Sequence, residues 1–419
     1  MASNIPNQQV ASAPSTMNTR FAFIAMTSLF FIWGFITALN DILIPHLKAA
    51  FSLNYTEAML VQFCFFGAYF VVSPFAGKLI EKIGYQRGII VGLLTIASGC
   101  AIFYPAAEIE VYLVFLLGLF VLASGITILQ VSANPYVAVL GSDDTAASRL
   151  NLAQAINSLG HTLGPIFGAA LIFGTAATVI TASAVQLPYL ILASVMIVTA
   201  LIFKVIKLPV ISKVEDPNAA EASKDSILRH PPLVFGALAI FLYVGAEVSI
   251  GSFLVNYFAE AHIGNLSEHE ASKMVPYYWG AAMVGRFIGA ALMRFILPTY
   301  LLAFNALMVI ALVTISITSE AQLAMWSILA VGLFNSIMFP TIFTLAIKGL
   351  GPLTGRGSGL LCQAIVGGAI IPIFQGIAAD LTSVQLSFWV PAIAYIYIAW
   401  YALRGSTAQT STHVEEVNT

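Results

Sequence analysis

Asp41 and Glu247 each interrupt a run of apolar residues, "FFIWGFITALNDILIPHL" for the first and "FLYVGAEVSIGSFLVNY" for the second. Inserting a carboxylate at the centre of a membrane helix costs about 2.5–3.5 kcal/mol. A chain that keeps two has a use for them. Oxygen-only ligands of this kind bind a proton or Na⁺, so Asp41 and Glu247 are the candidate cation-coupling residues. Amides gather in similar surroundings. Gln130 and Asn134 lie one turn apart, and Gln154 and Asn157 share a helical face. An amide both donates and accepts, as a hydroxyl does, which suits recognition of a polyol; the same group also joins helices inside a bundle. Asn256, Asn335 and Gln363 are the corresponding candidates further along. Trp33, Tyr278 and Trp279 could stack on the C–H faces of a pyranose, or anchor the chain at the membrane interface.

The elements that hold these residues follow from composition. Of the 419 residues 59% are apolar and 9% charged, against about 25% charged in a soluble domain. Apolar runs of spanning length recur from end to end. The fold class is therefore all-α integral membrane. Twelve spans fit between residues 20 and 404. The three cysteines (Cys64, Cys100, Cys362) lie in apolar segments without paired spacing and suggest neither a disulfide nor a metal site. Nothing indicates nucleic-acid binding or a cofactor, and no external loop is long enough to hold a separate active site.

One long polar connection, 208–230, divides the chain into two six-helix bundles, 20–207 and 231–404. Residues 1–19 and 405–419 read as disordered tails. With both termini in the cytoplasm, all but Lys48 and Lys273 of the seventeen Lys and Arg fall on the cytoplasmic side, Arg286 among them. No base is then expected at the depth of the two acids. The halves repeat weakly. Asp41 and Glu247 are 206 residues apart, and Gln130 and Asn335, each five residues before a proline, are 205 apart. An even number of spans per unit makes the repeats parallel. Asn134 precedes Pro135, which gives it an alternative role: satisfying the carbonyl that the proline frees.

"GKLIEKIGYQRG", Gly77 to Gly88, resembles the loop between helices 2 and 3 of the major facilitator superfamily, on Gly77, Glu81, Lys82, Gly84 and Arg87, with glutamate where aspartate is usual. The resemblance implies a gating role for this motif. "LNDILIPHLKAAF", "GITILQVSANPYVAVLG" and "SRLNLAQAINSLG" resemble the fucose–galactose–glucose symporter family, and its bacterial glucose/galactose branch most of all. That likeness implies the major facilitator fold, a bacterial inner-membrane location, a monomer, and cation-coupled uptake of a hexose. It also implies that Gln154 and Asn157 line the sugar cavity. One departure stands out. The family's fucose–proton symporter has a glutamate at the position of Gln130, whereas here the second acid is Glu247, in the other half. The coupling ion, H⁺ or Na⁺, is left open. Competing readings are transport of another sugar such as fucose or N-acetylglucosamine, proton-driven drug export, and a sugar sensor without turnover.

Overall fold

In the computed structural model the backbone is described for residues 16–51, 55–173, 185–209 and 226–408. Within these helices the side chains of 16–18, 39–50, 55–59, 62 and 165–173 lie outside the described residues, as do both extreme tails and 210–225 of the connection. The first half contains α1 (Thr16–Ala50), α2 (Tyr55–Ile83), α3 (Tyr85–Ile109), α4 (Tyr112–Val139), α5 (Ala146–Phe173) and α6 (Gln186–Val205). The second begins with α7 (Pro231–Ala259), α8 (Val275–Leu292) and α9 (Pro298–Thr318). Its tenth span is broken into α10 (Ala321–Asn335) and α11 (Met338–Ile347), and its eleventh into α12 (Thr354–Gln363) and α13 (Gly367–Leu381). α14 (Trp389–Leu403) is the twelfth. Ten described spans are long and apolar enough to cross a membrane on those grounds alone. α1 begins at Thr16, inside the stretch expected to be an unstructured tail.

Local sequence sets the boundaries. Pro231 and Pro232 open α7, where a missing N–H leaves no helical bond unmade. Gly84 takes φ +84° between α2 and α3, a conformation that a side chain would strain. Arg149 gives its guanidinium to the carbonyls of Val137 and Ala138 at the end of α4, where unpaired acceptors and the negative end of the helix dipole both favour a cation. Small residues let helices touch along their backbones. At Gly160, on α5, a Cβ would overlap the Phe31 carbonyl of α1.

At Pro74 and Pro135, inside their helices, and at Pro340, in the first turn of α11, the carbonyl four residues earlier is taken by a side chain from another helix. Pro74 frees Phe70, whose oxygen accepts from Gln363 Nε2 of α12 at 3.2 Å. Pro135 frees Val131, which accepts from Ser358 Oγ of α12 at 3.0 Å. Pro340 frees Ser336, which accepts from Arg286 Nε of α8 at 3.1 Å. The first two bonds cross between the halves. The proposed role of Asn134 at the Pro135 kink is thereby corrected, because Ser358 fills it.

Further cross-half ties sit at the end of the bundle where Lys78, Lys82, Arg87 and Lys348 project. Arg356 donates its backbone N–H and its Nε to Glu81 Oε1, at 3.1 and 2.9 Å. Ser148 Oγ donates to the Ala290 carbonyl at 2.6 Å, and Asn151 Nδ2 to Thr341 Oγ1 at 3.3 Å. Gly77 is where α2 meets this junction: a Cβ there would lie 2.8 Å from the Gly355 carbonyl oxygen. The halves are thus bonded together at the basic end.

Gly160→Leu should destabilise the fold by about 1–3 kcal/mol through overpacking, whereas Gly280→Ala, with nothing within 4 Å of the added methyl, should be silent; melting curves in detergent compare the two. Ser358→Ala leaves the Val131 carbonyl buried without a donor and should cost about 1–3 kcal/mol. Adding Pro135→Ala, which restores the helical N–H, should recover most of that loss, so the double variant melts above Ser358→Ala alone.

Candidate functional site

Glu247 lies midway along α7 with its side chain 12% exposed. The expectation that no base shares its depth is overturned by Arg286. That residue lies two turns before Arg294, about 12 Å deeper into the bundle at 1.5 Å per residue. Its Nη2 is 3.9 Å from Glu247 Oε1, an ion pair too long to be a hydrogen bond. The guanidinium is held elsewhere. Nε donates to the Ser336 carbonyl, and Nη1 to Ser158 Oγ on α5, in the opposite half. Glu247 Oε1 has no hydrogen-bond partner among the described residues. Tyr243, one turn earlier on α7, and His161 of α5 also face this carboxylate.

Around the pair, the breaks between helices supply polar backbone, as irregular segments inside membranes do where they are enclosed by protein. Tyr243 OH donates to the Asn335 carbonyl at 3.0 Å, at the break between α10 and α11. Asn335 Nδ2 donates to Tyr278 OH at 2.8 Å, and Tyr278 OH reaches the Glu247 carbonyl at 3.4 Å. Tyr278 is fully buried, so its hydroxyl is a junction of this network. Trp279 is 39% exposed and covers Gly251 of α7.

The first half presents its amides on α4 and α5. Gln154 Nε2 meets Asn134 Oδ1 at 3.4 Å. Asn134 Nδ2, Gln130 Oε1 and Asn335 Oδ1 are all buried without a hydrogen-bond partner among the described residues. Ser158 Oγ donates to the Gln154 carbonyl at 2.9 Å, so the serine that Arg286 grips is one turn from the Gln154–Asn134 pair. A connected polar system therefore runs Glu247, Arg286, Ser158, Gln154, Asn134, across both halves.

Several expected residues stand outside it. Asn157 donates its Nδ2 to the Phe30 carbonyl at 2.8 Å and joins α1 to α5. Trp33 is buried against Phe30, ring centroids 5.2 Å apart. Gln363 is spent on the Phe70 carbonyl. Asn256 is exposed on α7; nine residues beyond Glu247, it points about 180° away from it at 3.6 residues per turn. The backbone of Asp41 belongs to α1, and its side chain lies outside the described residues. In the loop motif Glu81 bonds Arg356, while Lys82 and Arg87 are exposed. Arg286 and Ser158 escaped the sequence reading. The signal for Arg286 was present as a lone base well inside the apolar run "GAAMVGRFIGAAL".

The sequence profile of the Major Facilitator Superfamily matches residues 21–364. The "Glucose/galactose transporter" of Brucella abortus biovar 1 (strain 9-941) is 56% identical over 411 residues, covering 97% of this chain and all of the relative. The "L-fucose-proton symporter" of Escherichia coli (strain K12) is 33% identical, covering 92% of this chain and 93% of the relative. A crystal structure titled as a major facilitator transporter, FucP, in the outward conformation superposes with a TM-score of 0.86 at 32% identity, covering 94% of this chain and all of that one. With its twelve spans in two bundles and a polar system buried between them, the chain belongs to the major facilitator superfamily, in its fucose–galactose–glucose symporter family.

Proposed function

We propose that this protein is a transporter, not an enzyme, that imports a neutral hexose such as glucose or galactose together with a cation, by alternating access. The observation that carries this reading is that four polar atoms, two in each half, are buried without a hydrogen-bond partner among the described residues: Gln130 Oε1, Asn134 Nδ2, Asn335 Oδ1 and Glu247 Oε1. A buried unpaired polar atom costs about 1–3 kcal/mol. Three acceptors and one donor match a ring of hydroxyls, each of which gives and takes a hydrogen bond. A broad drug pocket would be apolar, and these atoms would penalise such a ligand. The glucose/galactose name of the Brucella relative points the same way.

Asp41 and Glu247 are the cation-coupling carboxylates in this reading. Arg286 offsets one of their two negative charges, so a single monovalent ion, H⁺ or Na⁺, neutralises the pair. An empty site with a net negative charge resists closure into a dry interior, and loading removes that penalty. The basic end faces the cytoplasm of the bacterial inner membrane, as do both termini, by the excess of Lys and Arg there. The bonded basic end is then the cytoplasm-closed state. The protein acts as a monomer, since each of its two halves supplies one wall of the site.

Labelled-glucose uptake into proteoliposomes tests this, with imposed Na⁺ and H⁺ gradients compared and galactose, fucose and N-acetylglucosamine as competitors. Asp41→Asn should abolish accumulation against a gradient and leave sugar counterflow intact. Undiminished accumulation by that variant would sink the coupling role.

A further inference from the structure

We propose that Arg286 is the positioning residue that passes the occupancy of Glu247 to the opposite half, by choosing between Glu247 in its own half and Ser158 across the interface. The proposal rests on the transport reading above. The guanidinium is pinned at Nε by the Ser336 carbonyl, which Pro340 leaves free. Its two remaining nitrogens face different halves. Nη1 holds Ser158 Oγ, and Nη2 lies 3.9 Å from Glu247 Oε1, an oxygen without a hydrogen-bond donor among the described residues. A planar, rigid fork pivoting on Nε cannot bring Nη2 onto the carboxylate without drawing Nη1 off the serine. The two contacts therefore compete.

Their relative strength depends on the load. A bond from a guanidinium to a carboxylate is stronger than one to a hydroxyl. With Glu247 bare, the carboxylate competes for the fork and the tie to Ser158 weakens. A sugar hydroxyl donating to Oε1, or a cation beside it, ends the competition and lets Arg286 hold Ser158. The tie lands where it matters: Ser158 donates to the Gln154 carbonyl, and Gln154 meets Asn134. Occupancy on α7 is thus felt by the amide turn of α5. His161 of α5 and Tyr243 of α7 face the same carboxylate and share its field.

Two measurements test this. In transport, Ser158→Ala and Arg286→Lys should each lower the maximal rate of net uptake at least tenfold while KM stays within about threefold, because the tie acts on the conformational step and not on sugar affinity. The double variant should be no slower than Arg286→Lys alone, since both remove one interaction. A wild-type rate for Ser158→Ala, or multiplied losses in the double variant, overturns the proposal. The second measurement does not depend on transport. Spin labels at Lys204 and Lys348, exposed on opposite halves beside the cavity at the basic end, report its width in a cysteine-free background. Ser158→Ala should shift their distances outward, and Ser158→Thr, which keeps the hydroxyl, should not. An unchanged distribution in Ser158→Ala overturns the tie. Absence of hexose uptake by the wild-type protein would instead defeat the symport reading, and the distances would still judge Arg286.

Discussion

Inside hydrocarbon a backbone carbonyl without a donor is expensive, and prolines along the spans leave such carbonyls. Phe70, Val131 and Ser336 lie four residues before Pro74, Pro135 and Pro340, and each accepts from a different helix. The donors are Gln363, Ser358 and Arg286, all in the second half. Two of these bonds join the halves, and the third fixes the guanidinium that reaches Ser158 in the first half. One constraint, that the freed carbonyl must be satisfied, thus sets both how the bundles meet and where the buried base points. Val131 and Ser336 occupy equivalent places in the repeat, 205 residues apart. The duplicated kink serves the interface in one copy and the site in the other.

The charge arrangement follows from the same anchoring. A buried acid and base would ordinarily close on each other, since separate desolvated charges are costly. Here Nε and Nη1 are occupied, and Nη2 is kept 3.9 Å from Glu247. The carboxylate is electrostatically supported yet retains an oxygen free to accept. A closed, bidentate pair would have no capacity left for a ligand. The unpaired atoms of Gln130, Asn134 and Asn335 are in the same condition. The site keeps its polar atoms unmatched at a real cost in stability, which a bound polyol then offsets.

The bilayer made much of this legible in sequence. Spans must be long, apolar and helical, so their number was readable, and the family motifs agreed with it. Individual side chains were harder, because one residue type serves both recognition and packing. Asn157 and Gln363 looked the same as Gln154 before the structure showed them bonded to the Phe30 and Phe70 carbonyls. Asn256 was separable by angle alone, being half a revolution from Glu247. Arg286 was misplaced because counting bases by loop assigned it to the nearer membrane face. Its true depth depends on its distance along α8 from Arg294. Ser158 carried no signal at all: a small hydroxyl on a helix usually bonds its own i−4 carbonyl, and this one does so as well.

Alternating access requires the halves to part at the basic end and rejoin, so the ties there must be specific but weak. Those observed meet that demand. Glu81–Arg356, Ser148–Ala290, Asn151–Thr341, Ser358–Val131 and Gln363–Phe70 are mostly single hydrogen bonds, each worth about 0.5–1.5 kcal/mol net and more for the charged pair. A group that meets water when this end opens regains a partner at little cost. The Glu81–Arg356 pair behaves likewise: both side chains are 22% exposed, so neither charge is stranded on separation. Arg286–Ser158 differs. It lies deeper, its serine is 6% exposed, and the partner waiting for its guanidinium is a carboxylate and not water. Its breaking, unlike that of the five ties named above, depends on what the central site holds.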